Sequence, residues 1–212
     1  MRLDHVSYVA SHDQISDVVN RIGSQIGTAF VDGGIHPKFG TRNFTAPLLN
    51  GEYIEVVCPL DHPATDATPY GKAVKKKSEE GGGWMSWILA TDDISKIESS
   101  FGRNAISGER KKPNGSVLKW RQIGVLEILK DFSQPFFVEW ITKDHPGMDG
   151  IGKAEIFEIV FESNRESTLR TINDNLKKIT DSLNLKFLES ESNYKCIKEI
   201  KFKINDQEIT IS

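Results

Sequence analysis

The sequence predicts an α+β fold: tandem βαβββ modules forming a curved mixed sheet cup, with a third βαβββ-like unit at the C-terminus. Three pairs of matching segments predict it. Asp4-His5-Val6-Ser7-Tyr8-Val9-Ala10 and Trp84-Met85-Ser86-Trp87-Ile88-Leu89-Ala90 are strand-like runs, each leading into a helix start. Thr41-Arg42-Asn43-Phe44 and Trp120-Arg121-Gln122-Ile123 occupy matching places after those strands, each a basic residue followed by a side-chain amide. Tyr53-Ile54-Glu55-Val56-Val57 and Phe137-Val138-Glu139-Trp140-Ile141 are β-prone runs with one central glutamate. An Asp-His-Pro follows each, at residues 61–63 and 144–146.

In chain order, a first module spans residues 1–62. After its opening strand, Ser11 and Gln14 have capping-box spacing, and Ile15, Val18, Val19, Ile22 and Ile26 recur at helical intervals up to Gly27. Residues 33–40, Gly-Gly-Ile-His-Pro-Lys-Phe-Gly, read as a glycine-rich loop. A linker helix is expected over 66–80; its Lys75-Lys76-Lys77 run reads as a solvated helix end, and Gly81-Gly82-Gly83 as a hinge. The second module covers 83–146, with a shorter helix marked by Ile94, Ile97 and Phe101 and ended by Gly102. Together these make a paired domain over 1–150.

Residues 151–212 repeat the order. They give a strand at Ile156–Phe161, a capping box at Ser163 and Glu166, and a helix bearing Leu169, Ile172, Leu176, Ile179 and Leu183 on one face. Strands follow near 186–188, 196–204 and 208–211, with Asn205-Asp206 as the turn between the last two. Thr210 stands where the first two modules have glutamate, so structure or association is expected of this unit rather than chemistry.

Composition bounds the function classes. With 212 residues, 38% hydrophobic and 27% charged, the chain has ordinary globular usage. A formal charge of −3 and the lack of a basic stripe argue against nucleic acid and anionic membranes as partners. A small-molecule ligand is the expected partner, and a homodimer is a candidate assembly. Cys58 and Cys196 stand far apart outside any metal-type spacing, which suits reduced, structural thiols. No apolar run approaches the roughly 20 residues of a membrane span, and the amino terminus holds no apolar signal core. A cytoplasmic location is expected.

A glutamate in the middle of an apolar strand needs a reason, because an unpaired charge facing a core costs several kcal/mol. Alternation places Tyr53, Glu55 and Val57 on one face, and His5 and Ser7 on another that could adjoin it. The same rule sends Asn43, Thr45 and Gln122 into a polar hollow shared with Glu139. Arg42 and Arg121 then point outward, to ion pairs or to the rim, where Arg42 is a candidate to touch substrate. His36, on the glycine-rich loop, and Trp120, on the face of Gln122, are candidates to line the pocket. Each has a structural alternative: a satisfied strand histidine for His5, arginine partners for the glutamates, and a turn for His36. His62 and His145, each before proline, are expected to end strands and hold corners.

The segments LDHVSYVA, GGIHPKFGTRN, YIEVVCPLDHP and GGGWMSWILATDD resemble the glyoxalase-like branch of the vicinal oxygen chelate superfamily over roughly residues 1–150. That resemblance implies a cup between modules and one divalent metal ion, its ligands His5, Glu55 and Glu139, with Glu55 or Glu139 as general base. The fourth ligand position falls on Met85, a poor ligand for hard cations. Two functions follow: conversion of a small oxygenated metabolite by a lyase, isomerase or hydrolase, or metal-free sequestration of a small molecule.

Overall fold

The computed structural model describes residues 1–170, 172, 183–189 and 194–212. Eight strands close into a barrel: β1 (Arg2–Val9), β2 (Val31–His36), β3 (Thr41–Pro47), β4 (Tyr53–Pro59), β5 (Gly83–Ala90), β6 (Ile106–Lys111), β7 (Val117–Ile123) and β8 (Phe136–Trp140). Their order round the barrel is β1-β4-β3-β2-β6-β7-β8-β5. Each module contributes four consecutive strands and pairs its first strand in parallel with its last, β1 with β4 and β5 with β8. Antiparallel β1 and β5 join the modules on one side, and β2 and β6 on the other. Closure leaves no free sheet edge.

Alternation then sorts the side chains. Val6, Ile54, Val56, Trp84, Trp87 and Leu89 face outward into one apolar core, with Phe44 and Ala46 on the same side. Two helices cover part of this layer, α1 (Ile15–Ile26) and α4 (Ser95–Phe101). Both stop at a left-handed glycine, Gly27 at φ 64° and Gly102 at φ 62°, as their positions predict. The capping box expected at Ser11 is not formed: its hydroxyl bonds to the Gln14 side chain, and α1 starts at Ile15.

The expected linker helix is two helices, α2 (Pro63–Ala67) and α3 (Pro69–Glu79). Pro69 forces the break, since the residue before a proline avoids helical geometry, and Thr68 uses the gap to cap α3 at the Gly71 amide. His62 and His145 act as expected, their Nδ1 atoms capping α2 and a 3₁₀ turn over Pro146–Met148. A short helix α5 (Val125–Ile128) precedes β8.

The third unit forms its own sheet from β9 (Glu155–Glu162), β10 (Asn184–Leu188), β11 (Cys196–Ile204) and β12 (Gln207–Ile211), in the order β10-β9-β11-β12. Asn205 and Asp206, both at positive φ, make the β11–β12 turn. The cap of α6 (Arg165–Leu169) is Asn164, one residue after the expected Ser163, which instead shares a buried hydroxyl cluster with Ser133 and Thr168. The middle of the helix expected there, with Leu176 and Ile179, lies outside the described residues. This second sheet covers the outer faces of β1 and β5: Trp84 packs on Phe202 and donates to the Ile211 carbonyl at 2.8 Å, and Trp87 packs on Phe161.

Candidate functional site

The inner faces of the barrel strands enclose a hollow lined by His5, His36, Phe39, Tyr53, Glu55, Tyr70, Arg110, Trp120, Gln122, Phe136, Val138 and Trp140. About 410 Å³ there is free of atoms, the open mouth included. Its enclosed part has room for only a few heavy atoms.

Glu55, 4% exposed, sits at the centre of the polar half. Its carboxylate accepts from Ser7 on β1 at 2.6 Å, from the Asn43 amide on β3 at 2.6 Å and from the Tyr70 hydroxyl on α3 at 3.1 Å. His36 Nε2 approaches it at 4.0 Å, and His36 Nδ1 is bonded to Thr41 at 2.9 Å. Burial pushes the Glu55 carboxyl up, but the two histidines His36 and His5 and the bonds from Ser7 and Asn43 outweigh it and leave the net shift downward. Because burial lowers His36 itself to about 4, that ring is neutral near pH 7. The three neutral donors therefore carry most of the support for the Glu55 charge there.

His5 lies flat on Tyr53 with ring centres 4.2 Å apart, and its Nδ1 meets Asp4 at 2.9 Å. Neighbours along a strand ordinarily point apart. Here the β1–β5 register slips between Leu3 and His5, making Asp4 the extra residue of a bulge, so the two side chains touch. Asp4 is fully buried and also accepts from the Trp140 indole and from His145 Nε2 at 3.0 Å. Since His145 Nδ1 accepts the Gly147 amide, its Nε2 carries the proton given to Asp4. Burial raises Asp4, but the bonds from His145 and His5 overcome it and hold the carboxyl far below its ordinary value. The ionised Asp4 accepts the hydrogen bond of His5 Nδ1–H, which leaves Nε2 with no protein partner among the described residues.

The second module supplies a different wall. Trp120, Gln122, Phe136, Val138 and Trp140 face inward, and the Trp120 indole donates to Gln122 Oε1 at 2.6 Å. Gly108 makes room for that indole, since a Cβ there would lie 2.4 Å from it. Arg110 follows on the same face of β6 and is 2% exposed. No ion pair holds its guanidinium among the described residues. Its Nε and Nη2, like Gln122 Nε2 and Asn43 Oδ1, are buried without a hydrogen-bond partner.

The structure thus brings together His5, His36, Asn43, Glu55, Trp120 and Gln122, and it leaves Glu139 and Arg42 elsewhere. Glu139, expected in the hollow, points the other way: it is held by Arg121 at 3.4 Å and by the Ile94 amide, in an outer groove with Met1, Arg2 and Asp92. On the inner side Ser7 lies opposite Glu55, and Ile88 opposite Phe136 at the same sequence separation. The counterpart of Glu55 is therefore an apolar residue, and Glu139 is one residue out of phase. Arg42 pairs with Asp32 at 2.5 Å outside the barrel.

With Glu139 outside, the inferred ligand set His5, Glu55 and Glu139 is not assembled. Among the described residues no three His, Cys, Asp or Glu side chains gather as a metal-binding group. The residues in place do not fit the divalent ion that the resemblance implies. Cys58 and Cys196 are free and buried, as expected, and burial raises the Cys58 thiol to about 11. Among the described residues no helix is long and apolar enough to cross a membrane.

Sequence reasoning missed Asp4, Tyr70 and Arg110. The bulge hides Asp4, Tyr70 sits on a helix read as linker, and Arg110 sits in the charged string Glu109-Arg110-Lys111-Lys112. Alternation with Gly108 was the available signal for Arg110.

A buried histidine and a half-buried glutamate shape the pH response in opposite senses. His36, moved from 6.5 to about 4, binds its proton more readily in the unfolded chain, so stability rises with pH across that window. Glu52, raised from 4.5 to about 7 by burial and by neighbouring Asp4 and Glu155 against Arg2, keeps its proton longer when folded, so stability falls with pH there. Wild-type urea midpoints should vary little between pH 4.5 and 6.5. Glu52→Gln should uncover a rise with pH on the order of 1–3 kcal/mol. An unchanged profile in that variant would refute the assignment.

Two βαβββ modules closed round one hollow define the vicinal oxygen chelate fold. A family model described as Glyoxalase-like domain matches residues 3–176, and the chain belongs to that family. Among solved structures, a hypothetical protein from Staphylococcus aureus superposes with a TM-score of 0.57 at 18% identity, over 100% of this chain and 85% of that one. Methylmalonyl-CoA epimerase from Mycobacterium tuberculosis gives 0.43 at 14% identity, over 65% of this chain and 85% of that one. The Streptomyces coelicolor epimerase with glutamine in place of one glutamate, bound to 2-nitronate-propionyl-CoA, gives 0.44 at 16%, over 67% and 99%. No curated protein matches the chain.

Proposed function

We propose that this protein binds a small oxygenated metabolite in the hollow and moves a proton on it, with His5 as the acid–base group. The carrying observation is the Asp4–His5 pair at 2.9 Å: a fully buried carboxylate fixes the imidazole so that Nε2 is the atom left for a ligand. In this reading the proton of a C–H beside a carbonyl passes to His5 Nε2. The electron pair of that bond moves onto the carbonyl oxygen, toward the unpartnered Gln122 Nε2. Glu55, which already accepts from three donors, keeps acceptor capacity for one hydroxyl of a ligand and serves to orient it rather than to take the proton.

Transfer of substrate C–H to C–D in heavy water, followed by proton NMR over a panel of small 2-oxo and 2-hydroxy compounds, tests this. Wild type should exchange at least one of them, and His5→Ala should slow that exchange by roughly a hundredfold or more. Equal rates in the two proteins would sink the role of His5. The aromatic side of the hollow, Phe39, Trp120, Phe136 and Trp140, favours a second reading, sequestration without conversion. Binding with no exchange of any bound compound would select it.

A further inference from the structure

A buried arginine is normally found against a carboxylate, because the cost of removing its charge from water has to be offset. Arg110 breaks that pattern. It is 2% exposed, lines the hollow, and makes no ion pair among the described residues, while its Nε and Nη2 have no hydrogen-bond partner. The acids nearest the hollow are already engaged: Glu55 accepts from Ser7, Asn43 and Tyr70, and Asp4 from His5, His145 and Trp140.

The surroundings preserve this arrangement. A Cβ on Gly33 would come within 2.2 Å of Asn43 Oδ1 and 2.8 Å of Arg110 Nη1, so the missing side chain at position 33 is what lets the guanidinium lie there. Gln122 Nε2, a second donor without a partner, lines the same hollow. Unsatisfied donors round a fixed positive charge select an anion, and the flanking Trp120 and Phe136 suit a short carbon skeleton.

We infer that Arg110 is the anchor for an anionic head group and that the substrate class is small carboxylates, 2-oxo or 2-hydroxy acids among them. The inference rests on the hollow being the ligand site proposed above, and it adds the charge of the ligand and the residue that reads it. The small free volume suits a carboxylate head of this size.

Calorimetric titration of the full-length protein with pyruvate, lactate and acetate, and with the uncharged methyl pyruvate and pyruvamide, tests it. Wild type should bind at least one of the acids ten times or more tighter than its uncharged counterpart. Arg110→Met and Arg110→Gln should each lose that preference while still binding the uncharged compounds. Without ligand, these variants should melt no lower than wild type, because an unpaired buried charge has gone; a purely structural arginine would lower the melting temperature and weaken all ligands alike. Wild type that binds no acid, or binds acid and amide equally, overturns the inference, and that comparison needs no variant to fold. Acids that bind but undergo no C–H exchange would leave Arg110 as anchor and remove His5 as acid–base group. Exchange of uncharged compounds with no preference for acids would do the reverse.

Discussion

A chain ended after residue 150 is expected not to reach the native barrel. The outer faces of β1 and β5 carry Val6, Trp84, Trp87 and Leu89, all but fully buried in one apolar core with Ile159, Phe161, Ile200, Phe202 and Ile211 of the second sheet. Each large apolar side chain contributes about 1.5–3 kcal/mol through burial. Exposing the two that pack on the second sheet, Trp84 against Phe202 and Trp87 against Phe161, therefore removes a large share of a typical folding stability of about 5–15 kcal/mol. Trp84 would also lose the Ile211 carbonyl it donates to. The shortened chain should bind a hydrophobic dye, lack near-ultraviolet circular dichroism and show no cooperative urea transition. A cooperative transition with wild-type near-ultraviolet signal would show that the barrel stands alone and that residues 151–212 are an appendage.

Asp4→Ala should cost about 3–5 kcal/mol, the usual consequence of removing one partner from a buried charged network. The variant leaves His5 Nδ1, His145 Nε2 and the Trp140 indole without their shared acceptor. The pH dependence identifies the source. The folded-state value of Asp4 lies below its ordinary 3.8, so the carboxylate contributes fully above that pH and progressively less as the pH falls below it. Wild type and variant should differ most near neutrality and converge in acid, read from urea midpoints. A gap that stays constant into strong acid would assign the loss to packing instead.

Much of the architecture could be read from residue order. The two modules, the left-handed glycines ending α1 and α4, the His-Pro corners and the Asn205-Asp206 turn each depend on local chemistry, which sequence displays directly. Inward Asn43 and Gln122, with Arg42 and Arg121 outward, follow from simple alternation. Alternation failed in two ways. Phe136 to Ile141 is apolar on both faces, so nothing local fixes its phase, and matching on the glutamate alone put Glu139 inside. At Asp4 the bulge breaks the two-residue period, so the residue that orients His5 looked as though it pointed away. Tyr70 and Arg110 reach the hollow from segments whose charge and proline content suggested solvent, and only the closed barrel brings them to Glu55 and Trp120.

The unlike halves of the hollow, carboxylate and imidazoles from one module and both indoles and a guanidinium from the other, carry a stereochemical consequence. A guest held by a cation on one wall and stacked against rings beside it cannot turn over without losing both. His5 then meets the same side of every molecule that enters. Chemistry carried out there would distinguish mirror-image substrates, with handedness set by a duplicated scaffold whose copies no longer match.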